Sequence, residues 1–128
     1  MEEIKNLKPL DNVGARELAD AVAEILDDKK GRDIKIMAIA DKTDIADYFV
    51  LCNGTSNTHI RTLADEVEYQ VGLRGLKPIS FEGRGNNSWI LIDYGFVVVH
   101  VFSREAREFY NLDKLYRSKR SESEENDA

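Results

Sequence analysis

Residues 87–102, with the sequence NSWILIDYGFVVVHVF, form the most apolar stretch of the chain and decide its fold. Runs of β-branched and aromatic side chains on both sides of a glycine are typical of a β-hairpin. We place the turn at Tyr94 and Gly95, and opposed residues in a hairpin have a constant sum of numbers. The predicted pairs are Asp93 with Phe96, Leu91 with Val98, and Trp89 with His100.

Alternation along this hairpin separates its side chains onto two faces. One face is uniformly aliphatic and carries Ile90, Ile92, Val97, Val99 and Val101; the other carries Trp89, Leu91, Asp93, Phe96, Val98 and His100. The aliphatic face is the natural one for the core, so Trp89, Leu91 and Asp93 point away from it. A large aromatic beside an aliphatic and a charge is typical of a protein–protein contact. The alternative is that a second helix covers this face.

The composition predicts one soluble globular domain. The chain has 128 residues, of which 42% are hydrophobic and 33% charged, and no apolar run approaches the roughly 20 residues that span a bilayer. The N-terminus resembles neither a secretory signal nor a transit peptide, which favours a cytoplasmic protein without a membrane partner. We expect a folded domain over residues 1–117 and a disordered polar tail over residues 118–128.

The rest of the sequence predicts helices and strands around the hairpin. The expected elements are a helix from Asp11 or Asn12 to Gly31, a strand over 33–40, a helical turn over 44–47, a strand over 48–53, a helix capped by Ser56 and ending at Gly72 or Gly75, a short strand over 78–81, and after the hairpin a helix capped by Ser103 with a further turn over 112–116. This order predicts a single α/β (α+β) domain with a mixed, five-stranded sheet and packed helices.

Two histidines are candidates for acid–base chemistry. An aspartate can orient an imidazole, but the predicted register puts Asp93 and His100 at opposite ends of the hairpin. A hydrogen-bonded structural role is therefore the better interpretation of His100, and of His59 at the start of its helix. Ser56 lacks the surroundings of a catalytic serine and is better explained as a helix cap.

The sequence predicts no metal and no cofactor. Cys52 is the only cysteine, so we expect a buried thiol without a zinc site. Asp41, Asp44 and Asp47 lack the glycine and distal glutamate of a calcium loop, and the glycines of 83–85 fall short of a phosphate-binding motif. Paired carboxylates alternating along a strand, which carry two magnesium ions in nucleotidyl transfer, are also absent from the sequence.

The net charge favours a basic protein partner. Acidic residues outnumber basic ones by 24 to 18, which gives a formal charge of −6. Phosphates repel such a body, so we expect contact with RNA to be minor or absent.

Several stretches together resemble the ribosome silencing factors, also called Iojap-like proteins. The similar segments are 41–50 (DKTDIADYFV), 54–57 (GTSN), 82–83 (EG), 89–95 (WILIDYG), 98–102 (VVHVF) and 107–116 (REFYNLDKLY). The resemblance implies a domain related to the nucleotidyltransferase fold without its catalytic carboxylates. It also implies a protein that is not an enzyme and that binds the large ribosomal subunit through ribosomal protein fourteen of that subunit, blocks joining of the small subunit, and acts mainly in starvation or stationary phase.

The resemblance also implies a binding surface on the hairpin. Trp89 would be its aromatic anchor, Leu91 would lie beside it, and Asp93 would accept a hydrogen bond from a basic side chain. Tyr94 and Glu82 complete the predicted partner-binding residues. This sequence departs from many relatives at Phe96, where an acidic residue is common, and at Tyr116, where a tryptophan is usual.

Three alternatives accompany this interpretation. One is a factor that assembles the large subunit without preventing subunit joining. Another is a nucleotidyltransferase-like enzyme that would use Asp41, Asp44 or Glu82 with magnesium. An exposed apolar face would also allow a homodimer.

Overall fold

A computed structural model describes residues 8–83 and 88–115. Its elements are α1 (Ala15–Asp28), β1 (Arg32–Ala38), β2 (Tyr48–Asn53), α2 (Asn57–Leu73), β3 (Ser80–Glu82), β4 (Trp89–Asp93), β5 (Val97–Phe102), α3 (Arg104–Tyr110) and α4 (Leu112–Leu115). The predicted polar tail, Tyr116 and residues 84–87 of the predicted loop lie outside the described residues. Within the described residues, no helix is long and apolar enough to cross a membrane.

The strands form one five-stranded sheet in the order β1-β2-β5-β4-β3. β5 pairs in parallel with β2 and antiparallel with β4, and the remaining pairs are antiparallel. The predicted single α+β domain with a mixed, five-stranded sheet is thereby confirmed. β2 lies inside the sheet, as its apolar character on both faces predicts.

Helices α1 and α2 cover the first face of the sheet. The buried side chains of this layer include Leu18, Ala19, Ala21, Val22, Ile25 and Leu26 from α1, Ile60, Leu63, Ala64, Val67 and Val71 from α2, and Val50, Cys52, Ile90, Ile92, Val97, Val99 and Val101 from the sheet. Each fully buried aliphatic side chain contributes about 1.5–3 kcal/mol, so this layer is the main source of stability. The aliphatic face of the hairpin is in the core, as predicted.

The second face of the sheet carries a smaller apolar cluster. Its buried members are Met37, Ile39, Ala46, Phe49, Leu51, Val98, Phe102 and Leu112, and Trp89, Leu91 and Ala106 pack against it while partly exposed. The segment after β1 and the short helices α3 and α4 supply the covering residues. Helices therefore cover part of this face, and the edge beside β3 and β4 remains partly open.

The hairpin register differs by two residues from the predicted one. Trp89 lies opposite Phe102, Leu91 opposite His100, and Asp93 opposite Val98. The turn residues are Gly95 and Phe96, because the Tyr94 N–H donates to the Val97 carbonyl at 2.9 Å. Gly95 has a φ of 92°, which glycine adopts without steric cost and which suits the first central position of a two-residue turn. A shift of two residues keeps every side chain on its face, so the predicted faces are confirmed apart from Phe96, now in the turn.

Two local predictions were wrong. α1 begins at Ala15 after Gly14 rather than at Asp11 or Asn12, because Leu10 is buried and its N–H donates to the carbonyl of Arg74 at the end of α2. No helical turn forms over 44–47, since Asp47 bonds instead to Ile39 and to the Phe96 carbonyl. The caps Ser56 and Ser103 are confirmed, since each hydroxyl accepts a backbone N–H three residues later at 3.0 Å.

Gly31 and Cys52 pack where α1 meets the sheet. Cys52 is fully buried, and burial raises the pKa of its thiol to about 12, so it is an unreactive core residue as predicted. A Cβ atom at Gly31 would lie 2.4 Å from Cys52 Sγ and 3.0 Å from the carbonyl oxygen of Leu26. Only glycine fits between these two atoms.

Gly31→Ala should therefore lower the free energy of unfolding by about 1–3 kcal/mol through overpacking. Gly72→Ala is the matched control, since nothing lies within 4 Å of its Cβ position and alanine in a helix should add about 0.5–1 kcal/mol. Urea denaturation of both variants measures the difference. Equal stability of the two would contradict the close packing at Gly31.

Candidate docking surface on the second face

Sheet pairing brings four of the five predicted site residues onto the second face. Trp89, Leu91 and Asp93 alternate along β4, and Glu82 of β3 lies directly opposite Leu91. All but Glu82 are half-buried, and Glu82 is exposed. These four side chains form a strip across the last two strands of the sheet, β4 and β3.

Trp89 is held inside an aromatic cluster. Its indole N–H donates to Nδ1 of His100 at 3.1 Å. Its ring centroid lies 4.4 Å from that of Tyr110 on α3 and 5.8 Å from that of Phe102. Trp89 is therefore a fixed part of the fold as well as a partly exposed ring.

His100 is a structural residue, as predicted. It is 4% exposed, and its ring lies edge-on to Phe49 with a centroid distance of 4.5 Å. Burial lowers the pKa of His100 to about 4, so the imidazole is neutral near pH 7. His100 bonds to Trp89 whereas Asp93 bonds to the turn, so the two do not form an acid–base pair.

Asp93 stabilises the hairpin turn beside an exposed phenylalanine. One carboxylate oxygen accepts the Gly95 N–H at 2.7 Å, and Phe96 next to it is 65% exposed. Tyr94 differs from the other predicted site residues because it is only 6% exposed and packs in the helix-covered core. Burial raises the pKa of its hydroxyl. Tyr94 therefore supports the turn from the first face.

Two further aromatic residues extend the strip. Phe109 and Tyr110 at the end of α3 are 82% and 52% exposed, and their rings meet edge to face at 5.2 Å. Neither is among the predicted site residues, although both fall within 107–116, the last segment that carries the family resemblance. The sequence feature that could have identified them is a pair of adjacent aromatic residues at the end of a helix of only seven residues, too short to bury both rings. We call Glu82, Trp89, Leu91, Asp93, Phe109 and Tyr110 the docking strip.

Arg107 ties α3 and α4 to the sheet. Its guanidinium donates to both carboxylate oxygens of Asp113 at 3.0 and 3.1 Å and to Oδ1 of Asn53 at 2.9 Å. Its side chain is only 11% exposed. Burial alone would raise the pKa of Asp113, but the hydrogen bonds and charge of Arg107, together with Lys35, outweigh it and lower that pKa. This network fixes the helix that presents Tyr110 to Trp89.

The remaining candidates have other roles. His59 Nδ1 accepts the Thr55 N–H at 2.9 Å and Nε2 lies 3.1 Å from the Lys29 carbonyl, so it links α2 to the end of α1 as the predicted structural histidine. Asp41, Asp44 and Asp47 are exposed in the segment after β1. Across residues 8–83 and 88–115, no group of three or more metal-binding side chains could hold an ion.

The family model described as "Ribosomal silencing factor during starvation" matches residues 12–128. The chain belongs to this ribosomal silencing factor family. Its relatives include ribosomal silencing factors of Bacillus subtilis, 37% identical over 73% of this chain and 80% of the relative, and of Haemophilus influenzae, 34% identical over 77% and 97%.

A mouse relative and a solved structure extend this comparison. The mouse protein, named mitochondrial assembly of ribosomal large subunit protein 1, is 31% identical over 84% of this chain, and the match covers 49% of the mouse protein. A crystal structure of a protein from Chromobacterium violaceum matches with a TM-score of 0.79 and 29% identity, over 84% of this chain and 90% of that one. The silencing-factor fold is thus shared with a solved structure.

Proposed function

We propose that this protein is a translational repressor and not an enzyme. In this proposal it binds the large ribosomal subunit through ribosomal protein fourteen of that subunit, and its bulk then prevents the small subunit from joining. The proposed occasion is starvation or stationary phase, in line with the description of the family.

The observation that carries the proposal is the composition of the docking strip. Trp89 and Leu91 are apolar and half-buried, and Phe109 and Tyr110 add exposed aromatic surface beside them. Such a strip has the aromatic centre that dominates binding energy in protein interfaces. Tyr94, which is buried on the other face, is not included in the proposed contact surface.

The charges of the strip favour a basic partner. Asp93 and Glu82 flank Leu91 on the second face, and the whole chain carries a net charge of −6. Opposite charges at a rim accelerate and orient association. A basic ribosomal protein matches these charges better than RNA phosphate does.

Binding to purified large subunits tests this surface. Phe109→Arg should weaken binding about 10–100-fold, because it places a charge in the aromatic part of the interface. Since Phe109 is 82% exposed, the fold should be unaffected. Leu73→Arg on α2 is the matched control: it introduces the same charge at an apolar residue that is 52% exposed and lies outside the strip.

A charge-reversal pair makes the test independent of apolar contacts. Asp93→Arg should reduce binding, whereas Glu24→Arg, at an exposed side chain of α1 on the other face of the sheet, should not. Cosedimentation at fixed salt measures both pairs of variants. If Phe109→Arg and Asp93→Arg bind as tightly as the parent, the docking strip is not the contact surface.

The name of the mouse relative supports a second candidate function, assembly of the large subunit. An assembly factor could use the same strip. It would be recovered mainly with immature large subunits and would leave joining of mature subunits unchanged. Adding the protein to purified mature subunits distinguishes these functions.

A further inference from the structure

His100 has one polar partner among the described side chains, and that partner is Trp89. Nδ1 of His100 accepts the indole N–H at 3.1 Å, which requires the neutral tautomer with its proton on Nε2. Burial keeps the imidazole neutral, since it lowers the pKa of His100 to about 4. Nε2 itself is buried and has no hydrogen-bond partner in the described part of the chain.

An imidazole at this position is costly for the fold. A buried N–H without a partner loses its hydration and gains no bond in return. The neighbouring rings are Phe49, Trp89 and Phe102, so an apolar side chain would suit the surroundings better. The imidazole differs from an apolar side chain in one useful respect, because its Nδ1 accepts a hydrogen bond from the Trp89 indole.

We propose that His100 is the positioning residue of the docking strip. By accepting the indole N–H, it holds Trp89 in the orientation that packs on Tyr110. The only hydrogen-bond donor of the indole is then used inside the protein. The partner consequently meets ring carbon at Trp89, and the chemistry expected of it there is an aliphatic or methionine side chain, not a carbonyl or carboxylate that would accept the N–H. This inference rests on the proposed function for the identity of the partner.

Three variants separate the bond from the bulk of the side chain. His100→Asn keeps an acceptor close to the position of Nδ1, His100→Gln carries its amide further out, near the position of Nε2, and His100→Leu has no acceptor. Because Trp89 is the only tryptophan, the ¹⁵N–¹H spectrum contains a single indole signal. Its hydrogen-exchange rate reports the bond directly, and binding to purified large subunits is measured on the same samples.

We expect slow indole exchange in the parent and in His100→Asn. In His100→Leu and His100→Gln we expect exchange at least tenfold faster and binding about tenfold weaker, while melting temperatures stay at or above that of His100→Asn. Indole exchange equally slow in His100→Leu and the parent would overturn the proposal, as would faster exchange with unchanged binding. If the parent shows a protected indole that His100→Leu loses, but binds no large subunit, the pairing stands and the proposed function fails.

Discussion

Arg107→Ala should lower the free energy of unfolding by about 3 kcal/mol, because it removes the donor to Oδ1 of the buried Asn53 and leaves the half-buried Asp113 carboxylate with only the Lys35 ion pair among the described residues. The guanidinium is the hydrogen-bond donor to Asp113 and Asn53, and its side chain is 11% exposed. It also lies over the ring of Phe102, 5.8 Å from its centroid. Loss of these contacts should release α3 and α4 from the second face.

Arg104→Ala is the matched control for this prediction. Arg104 lies on the same helix and pairs with Glu108, but the two side chains are 78% and 67% exposed. An exposed pair of this kind contributes about 0.5 kcal/mol or less. Urea denaturation followed by Trp89 fluorescence measures both variants. Similar stabilities for Arg107→Ala and Arg104→Ala would contradict the role of Arg107 as the tie between these helices and the sheet.

Acidification from pH 7 to pH 4 should destabilise the parent by about 3 kcal/mol more than it destabilises His100→Leu. The pKa of His100 is about 4 in the folded protein and 6.5 as a free side chain. Between these values the unfolded chain binds a proton that the folded protein does not, so stability is lost as the pH falls through this window. The free energy of unfolding falls by about 1.4 kcal/mol for each pH unit between the two pKa values, which gives the predicted loss of about 3 kcal/mol.

The comparison with His100→Leu isolates this effect from the carboxylates. Asp113 contributes at lower pH: its pKa is lowered in the folded protein, so its stabilisation is complete above its ordinary value of 3.8 and is lost below it. Denaturation curves at pH 7, 6, 5 and 4 measure the difference between the two proteins. A constant difference across this range would show that His100 does not remain neutral on folding.

The hairpin shows which parts of a fold alternation can predict. The period of two assigned Ile90 and Ile92 to the core and Trp89 and Leu91 to the other face, and any register shift of two residues preserves that assignment. The pairing itself depended on the turn, where Gly95 takes positive φ and Asp93 caps its N–H. The position of the turn is set by local backbone geometry, and the sequence is compatible both with a turn at Tyr94-Gly95 and with one at Gly95-Phe96.

The sequence predicted which strand carries the candidate site but not the contacts that hold its side chains in place. Charge and alternation placed Asp93 beside Trp89 and Leu91. The cover over Trp89 depends on Arg107 bonding to Asn53, 54 positions away, and no local pattern encodes such a contact. The burial of Tyr94 was missed because the predicted register puts this residue in the turn. In the structure its N–H donates to Val97, and its side chain continues the alternation of Ile90 and Ile92 into the core.

Joining of purified ribosomal subunits measures whether the bound protein keeps the small subunit away. Large subunits are incubated with the parent, with Phe109→Arg or with Leu73→Arg; small subunits are then added, and light scattering or a sucrose gradient measures the joined ribosomes. We predict that the parent and Leu73→Arg suppress joining at stoichiometric amounts and that Phe109→Arg does not. Undiminished joining with saturating parent protein, under conditions in which it cosediments with large subunits, would show that the bound protein does not block subunit joining.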